Sequence, residues 1–282
     1  MRVDAERWLR DLPAKLGPQR EVITGLLNEA RKDARIRLFV VGCSIGRGAA
    51  DALSDVDALY GVAESRWQEA IADSADLVRR VAPLIDLYQA TLQPTSPDSH
   101  AYQHTFAQYA SGVQIDLVVA VAREQQARRP DWIVLHDPDE SVSDAAKLVA
   151  PSEDEVRGWT YACLVHLSAC AKYLTRGSLW EARTQLDLAR TELWRVWAVA
   201  QHVPDPQFGL TAVLDATDRA LPSNIDATVA PLSRGPIRSA ALACLDMLEE
   251  TWPRAASAIL AHDVGSPPLV AWVRAQLVAV AT

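Results

Sequence analysis

The sequence predicts an α+β fold, with a mixed β-sheet in residues 1–150 followed by a helical bundle in residues 151–282. Three observations carry this expectation. Short apolar and alternating runs recur between residues 38 and 135, the spacing of strands rather than of long helices. After Pro151 the apolar spacing becomes helical and stays so. Two capping-box patterns, Ser152-Glu153-Asp154-Glu155 and Ser178-Leu179-Trp180-Glu181, mark helix starts just beyond that change.

Taken in order, residues 4–12 and 18–34 read as amphipathic helices. Residues 38–41 form a continuous apolar run ending in Gly42, the pattern of a buried strand closed by a residue that tolerates unusual backbone angles. A helix is expected to start within residues 47–53, and Asp55-Val56-Asp57-Ala58-Leu59 alternates as a second strand. Residues 64–81 are helical in period, while 84–92, 101–110 and 113–120 are strand candidates, giving a mixed sheet with helices packed on one face. Pro94, Pro97 and Asp98 mark a surface loop, and Ile133-Val134-Leu135 adds a short strand before Asp137-Pro138 turns the chain. In the second half, Gly177 ends the helix that begins after Ser152, and another begins after Ser178. Residues 203–236 are broken by prolines and glycines; 236–260 and 267–281 read as two further helices, completing a bundle of four or five. No internal repeat or low-complexity tract occurs.

Composition narrows the partners. An apolar share of 49% over 282 residues can fill two modest cores. The formal net charge of -8 is spread, with 17 basic and 22 acidic groups in residues 1–150 and 11 and 14 in residues 151–282. Neither half is a basic footprint, which disfavours nucleic acid and suits a small cationic molecule. Cysteines at 43, 163, 170 and 244 read as reduced core thiols. The charged start MRVDAERWLRDLPAK lacks the pattern of a signal peptide, and no apolar run reaches membrane-spanning length, so a soluble cytoplasmic protein is expected.

The chemistry concentrates in residues 38–61. Gly42, Gly46 and Gly48 with the hydroxyl of Ser44 can bring backbone N–H groups close to phosphate oxygens. In the next strand, period two sends Asp55 and Asp57 to one sheet face about 6.6 Å apart, with Val56 entering the core. Such carboxylates repel unless a cation sits between them, and hard oxygen ligands suit Mg²⁺. Val113-Gln114-Ile115-Asp116-Leu117 offers a third acid; if its strand pairs beside the second, Asp116 lies about 5 Å across the ladder. Three acids beside a phosphate cradle are the chemistry of nucleotidyl transfer. A P-loop is excluded because no Gly-Lys-Ser/Thr follows, and the glycine spacing does not fit a dinucleotide fingerprint. His100 and His104 have helical zinc spacing, but Ala101 stands where the base glutamate belongs and the context is strand. Cys163, His166 and Cys170 share a helix face and read as core, and Trp194 with Trp197 suit either core or base stacking. Lys172 and Arg176 read as a solvated cationic face.

These residues carry a family resemblance. Gly42-Cys43-Ser44 followed by Ser54-Asp55-Val56-Asp57 resembles the signature of the nucleotidyltransferase superfamily that includes DNA polymerase beta, and Gly112-x-x-Ile115-Asp116 resembles its third-acid strand. Within it the chain most resembles the aminoglycoside and lincosamide nucleotidyltransferases. Trp132-Ile133-Val134-Leu135-His136-Asp137-Pro138-Asp139 is similar to their vLyDp segment, and Ala171-Lys172-Tyr173-Leu174-Thr175-Arg176-Gly177 with Trp180-Glu181-Ala182 to a stretch of their helical domain. Cys43 stands where a small residue is usual, and His136 replaces a tyrosine.

The resemblance implies a Mg²⁺-dependent enzyme that moves a nucleoside monophosphate, AMP from ATP, to a hydroxyl of a small polar molecule of the aminoglycoside type. Residues 1–150 are then the catalytic domain and 151–282 a helical substrate-binding domain, the acceptor lying between them. Asp55, Asp57 and Asp116 are the catalytic and metal-binding acids, Asp116 as third ligand or general base. Gly42 and Ser44 hold the triphosphate, with Arg47, Ser54, Lys172 and Arg176 as further nucleotide contacts; Lys172 rests on the resemblance alone. Glu181 or Asp187 would position a cationic acceptor. The alternatives are a nucleotidyltransferase toxin or regulator acting on tRNA or protein, and a non-catalytic nucleotide-binding module.

Overall fold

The computed structural model describes residues 2–93, 99–125, 129, 131–143, 150–216 and 220–281; the loop expected at Pro94, Pro97 and Asp98 lies outside them. The chain divides into two compact units, Met1–Leu148 and Val149–Thr282.

In the first unit, the Asp4 carboxylate accepts the Arg7 N–H at 2.9 Å and caps α1 (Ala5–Asp11). Helix α2 (Gly17–Lys32) carries a proline in its first turn, where the missing N–H would be unpaired anyway, and buries Val22, Ile23, Leu26 and Leu27 along one side. Six strands follow: β1 (Ile36–Val41), β2 (Val56–Val62), β3 (Leu84–Leu92), β4 (Tyr102–Tyr109), β5 (Gln114–Val121) and β6 (Ile133–His136), in the spatial order β3-β4-β5-β2-β1-β6. The sheet is mixed because β2 and β5 run parallel while the other neighbours run antiparallel. A parallel pair cannot be joined by a tight turn. The chain accordingly passes through α4 (Trp67–Val81), β3 and β4 before β5 returns beside β2.

Helices α2 and α4 pack on one face of this sheet. Val56, Ala58, Tyr60 and Val62 alternate from β2 into that core, and the two buried phenols find partners, Tyr60 donating to the Leu26 carbonyl at 2.6 Å and Tyr109 to that of Val78 at 2.9 Å. The intervening residues of β2, among them Asp57, belong to the opposite face. There Leu38, Val40, Val134 and Val142 form a smaller cluster.

One local expectation is corrected. Residues 47–53 are not helical; the helical turn is α3 (Cys43–Gly46), ahead of them. Gly48 sits at φ +74°, and Asp51 and Ser54 turn the chain by local bonds, Leu53 N–H to the Asp51 carboxylate at 2.8 Å and Asp51 N–H to the Ser54 hydroxyl at 2.9 Å. Such side-chain bonds offer the backbone an alternative to helix.

The second unit contains α5 (Glu153–Arg176), α6 (Leu179–Ala200), α7 (Leu210–Asp215), α8 (Arg234–Ala258) and α9 (Pro267–Ala279). The first capping box forms as expected: Ser152 Oγ accepts the Glu155 N–H at 3.2 Å and Glu155 Oε2 accepts the Ser152 N–H at 2.8 Å. Ser152→Ala is therefore expected to destabilise this unit by about 1 kcal/mol in chemical denaturation. The second box does not form, although α6 starts where expected. Gly177, at φ +75°, closes α5 with the Ser178 N–H bonded to the Tyr173 carbonyl at 3.0 Å, so the donor that the Glu181 side chain would have met is already used. Cys163 and Cys170 are buried in the core, while His166 is half-buried with its Nδ1 2.8 Å from Gln185 Oε1. Trp194 and Trp197 are also buried, with Trp197 Nε1 donating to the Ala220 carbonyl at 2.7 Å. Among the described residues no helix is long and apolar enough to cross a membrane.

Candidate active site

The glycine turn is held from two sides. Gly42 N–H donates to the Asp57 carbonyl at 3.0 Å, tying the end of β1 to β2, and Gly46 N–H closes the α3 turn on the Gly42 carbonyl at 3.0 Å. On the other side stands Asp131, whose carboxylate is only 3% exposed. It accepts the Cys43 N–H at 3.0 Å and lies 3.6 Å from Arg47 Nη1 and 3.7 Å from Arg129 Nε. A methyl group on Gly46 would stand 1.8 Å from the Asp131 carbonyl oxygen, so the close approach of the two segments requires glycine there. Cys43 adopts φ +51°, a left-handed conformation unusual for a side-chain-bearing residue. Next to it the Ser44 hydroxyl is buried without a hydrogen-bond partner.

Asp131 is the residue that sequence reasoning missed. The signal was indirect: β1 and β6 run antiparallel with Val41 opposite Ile133, and continuing that register sets Cys43 opposite residue 131. Asp131→Ala would remove the acceptor of the Cys43 N–H and take a buried carboxylate from beside Arg47 and Arg129. A loss of about 2–4 kcal/mol in stability is expected in urea unfolding.

The acids sit on the neighbouring strands. Parallel pairing of β2 and β5 puts Asp57 level with Asp116, and Asp55, exposed, precedes β2 by one residue. Burial raises the Asp57 carboxyl to about 6, assisted by Asp55 and Asp116 and opposed by the Cys43 thiol, which hydrogen-bonds to it. Asp116 is raised by burial too, while His104 pulls it back. The Cys43 thiol is pushed up to about 12, by burial first and then by Asp57 and Asp131, which keeps it protonated. His104 Nε2 pairs with Asp116 Oδ1. Gly42, Cys43, Asp57, His104, Asp116 and Arg129 are among the residues lining a pocket of about 170 Å³.

Among the described residues no group of three or more His, Cys, Asp or Glu side chains already closes on a common point as a metal cage. Asp57 and Asp116 stand together; Asp55 precedes the strand, and one Asp116 oxygen faces His104. The donor set nonetheless fits a hard divalent cation. These are carboxylate oxygens whose burial, and then mutual repulsion, raise Asp57, a penalty that a cation would relieve.

The remaining expected contacts divide. Arg47 is at the turn, whereas the Ser54 hydroxyl is engaged with the Asp51 backbone. Lys172 and Arg176 belong to the second unit, exposed on α5, with Lys172 Nζ 5.1 Å from the Tyr173 ring centroid. Glu181 is exposed on α6, and Asp187 is tied to Arg183 at 2.9 Å and Arg190 at 3.5 Å. His100 Nδ1 meets Glu124 at 2.7 Å, apart from His104, so the two histidines do not form a zinc pair.

A family model described as streptomycin adenylyltransferase matches residues 18–203. Among solved structures, the chain is similar to an aminoglycoside 6-adenyltransferase from Bacillus subtilis, at 15% identity over 92% of this chain and 98% of that one, with a TM-score of 0.41. It is also similar to a nucleotidyltransferase-like protein from Exiguobacterium sibiricum, at 12% identity over 94% of this chain and 89% of that one, with a TM-score of 0.37. No curated protein matches the sequence.

Proposed function

The chain belongs to the streptomycin adenylyltransferase family, and from that premise we propose that it transfers AMP from ATP, with Mg²⁺, to a hydroxyl of an aminoglycoside-type acceptor. The observation that carries this reading is the pairing of Asp57 with Asp116 across parallel strands, beside a glycine turn whose Ser44 hydroxyl is buried and unpartnered. The Ser44 hydroxyl, with those backbone N–H groups of the turn that are not bonded within the protein, binds the triphosphate, and Arg47 adds positive charge. Asp57 and Asp116, with Asp55, would hold Mg²⁺, which supplies charge neutralisation at the phosphates. Asp116 takes the proton of the acceptor hydroxyl as its oxygen bonds to the α-phosphorus and the bond to the pyrophosphate oxygen breaks. The helical unit binds the acceptor, and the net charge of -8 favours a cationic one.

The test is pyrophosphate release from ATP and Mg²⁺ across a panel of aminoglycosides and lincosamides. Release with at least one aminoglycoside is expected. Silence across the panel overturns the acceptor assignment.

A further inference from the structure

We propose that His104 is a positioning residue for nucleotidyl transfer, holding one oxygen of Asp116 so that the other is presented to the pocket. The inference rests on the transferase reading above and adds to it a residue on β4 that supplies neither phosphate contacts nor cation ligands.

The strand register produces the arrangement. Strands β4 and β5 are antiparallel with Phe106 opposite Asp116 and His104 opposite Val118. His104 is therefore the diagonal neighbour of Asp116 on the same sheet face, within reach of a long side chain. Its Nε2 lies against Asp116 Oδ1, and its ring is braced by Phe106, with centroids 4.3 Å apart and planes at 52°. The Asp116 side chain is 26% exposed and that of His104 20%, so each lies at the pocket wall and neither is lost in the core. A carboxylate on a strand rotates freely about its last torsion unless something engages one oxygen. With Oδ1 buried against the imidazole Nε2, Oδ2 is the oxygen left to face a cation or an acceptor hydroxyl. A reacting group held within a narrow angular range gains rate through orientation, and that gain appears in turnover rather than in nucleotide binding.

Two measurements test this on the full chain. The first is steady-state kinetics with Mg²⁺, ATP and an aminoglycoside that the wild type turns over. His104→Ala is expected to lower kcat about 100-fold with KM for ATP within about threefold of wild type. His104→Gln, whose amide nitrogen overlays Nε2, is expected to recover at least about tenfold of the loss. Unchanged kcat in His104→Ala, a parallel rise in KM for ATP, or no recovery in His104→Gln each overturns the proposal. The second needs no acceptor: in ¹⁵N-histidine-labelled protein, Asp116→Asn is expected to move the His104 ring resonances and leave those of His166 in place. If the wild type turns over no panel member, the acceptor assignment fails, and this spectrum still decides the pairing. Unmoved His104 resonances overturn it.

Discussion

Asp57→Asn is expected to lower kcat/KM for nucleotidyl transfer at least about 1000-fold while making the ligand-free protein more stable above pH 6. Both effects have one source. Burial, with Asp55 and Asp116 adding repulsion, raises the Asp57 carboxyl from 3.8 to about 6, so the folded chain holds this proton more tightly than the unfolded chain does. Stability from the protonated form is complete below about pH 4 and is lost as pH rises through 6. At pH 8 the ionised carboxylate destabilises the fold by about 2 kcal/mol, after allowing for its partial exposure. Asparagine removes that charge. Thermal unfolding of the ligand-free proteins should then place the Tm of Asp57→Asn roughly 4–8 °C above wild type at pH 8, with the two converging near pH 4. Adding Mg²⁺ should raise the wild-type Tm at pH 8 and leave the variant nearly unmoved. Equal Tm values at pH 8 would show that Asp57 is not under electrostatic strain.

Gly46→Ala should be the most damaging change in the glycine turn, destabilising the chain by about 3 kcal/mol or more and, on the proposed function, raising KM for ATP more than about tenfold in what folds. The added methyl would lie 1.8 Å from the Asp131 carbonyl oxygen, a backbone atom that cannot swing aside. To admit it, α3 must move off the segment before β6, which breaks the bond from the Cys43 N–H to the Asp131 carboxylate and shifts Ser44. Gly48→Ala is the internal control: Gly48 has φ +74° but nothing within 4 Å of an added methyl, so only the conformational penalty of about 1 kcal/mol applies. If the two variants unfold at the same urea concentration, Asp131 does not clamp the turn.

The contrast between Asp57 and Asp131 shows which parts of the site were readable along the chain. Asp57 lies in a strand whose alternation gives away its placement, since Val56 and Ala58 point to the core and the acid to the other face. Asp116 is legible in the same way, and its place level with Asp57 comes from the parallel pairing of β2 with β5. Asp131 lies outside any alternating run. It acts on Cys43, 88 residues away, through a register that exists only when β1 and β6 pair. His104 is similar: its spacing to His100 suggested a metal pair, yet each histidine found a carboxylate on a different segment, Asp116 and Glu124.

Helix ends give the same lesson at shorter range. Ser152 and Ser178 head equally good capping boxes in one dimension. Only Ser152 forms one, because Gly177 has already spent the Ser178 N–H on closing α5.

Periodicity and turn chemistry act over a few residues, so the order of strands and helices, the glycine turn and the candidate acids at 55, 57 and 116 are legible from neighbouring residues alone. The clamp of Asp131 on the turn, the hold of His104 on Asp116 and the raised carboxyl of Asp57 needed the folded sheet. Each depends on groups far apart in the chain brought within a few ångströms, and on the loss of water that the meeting entails, neither of which any local stretch of sequence contains.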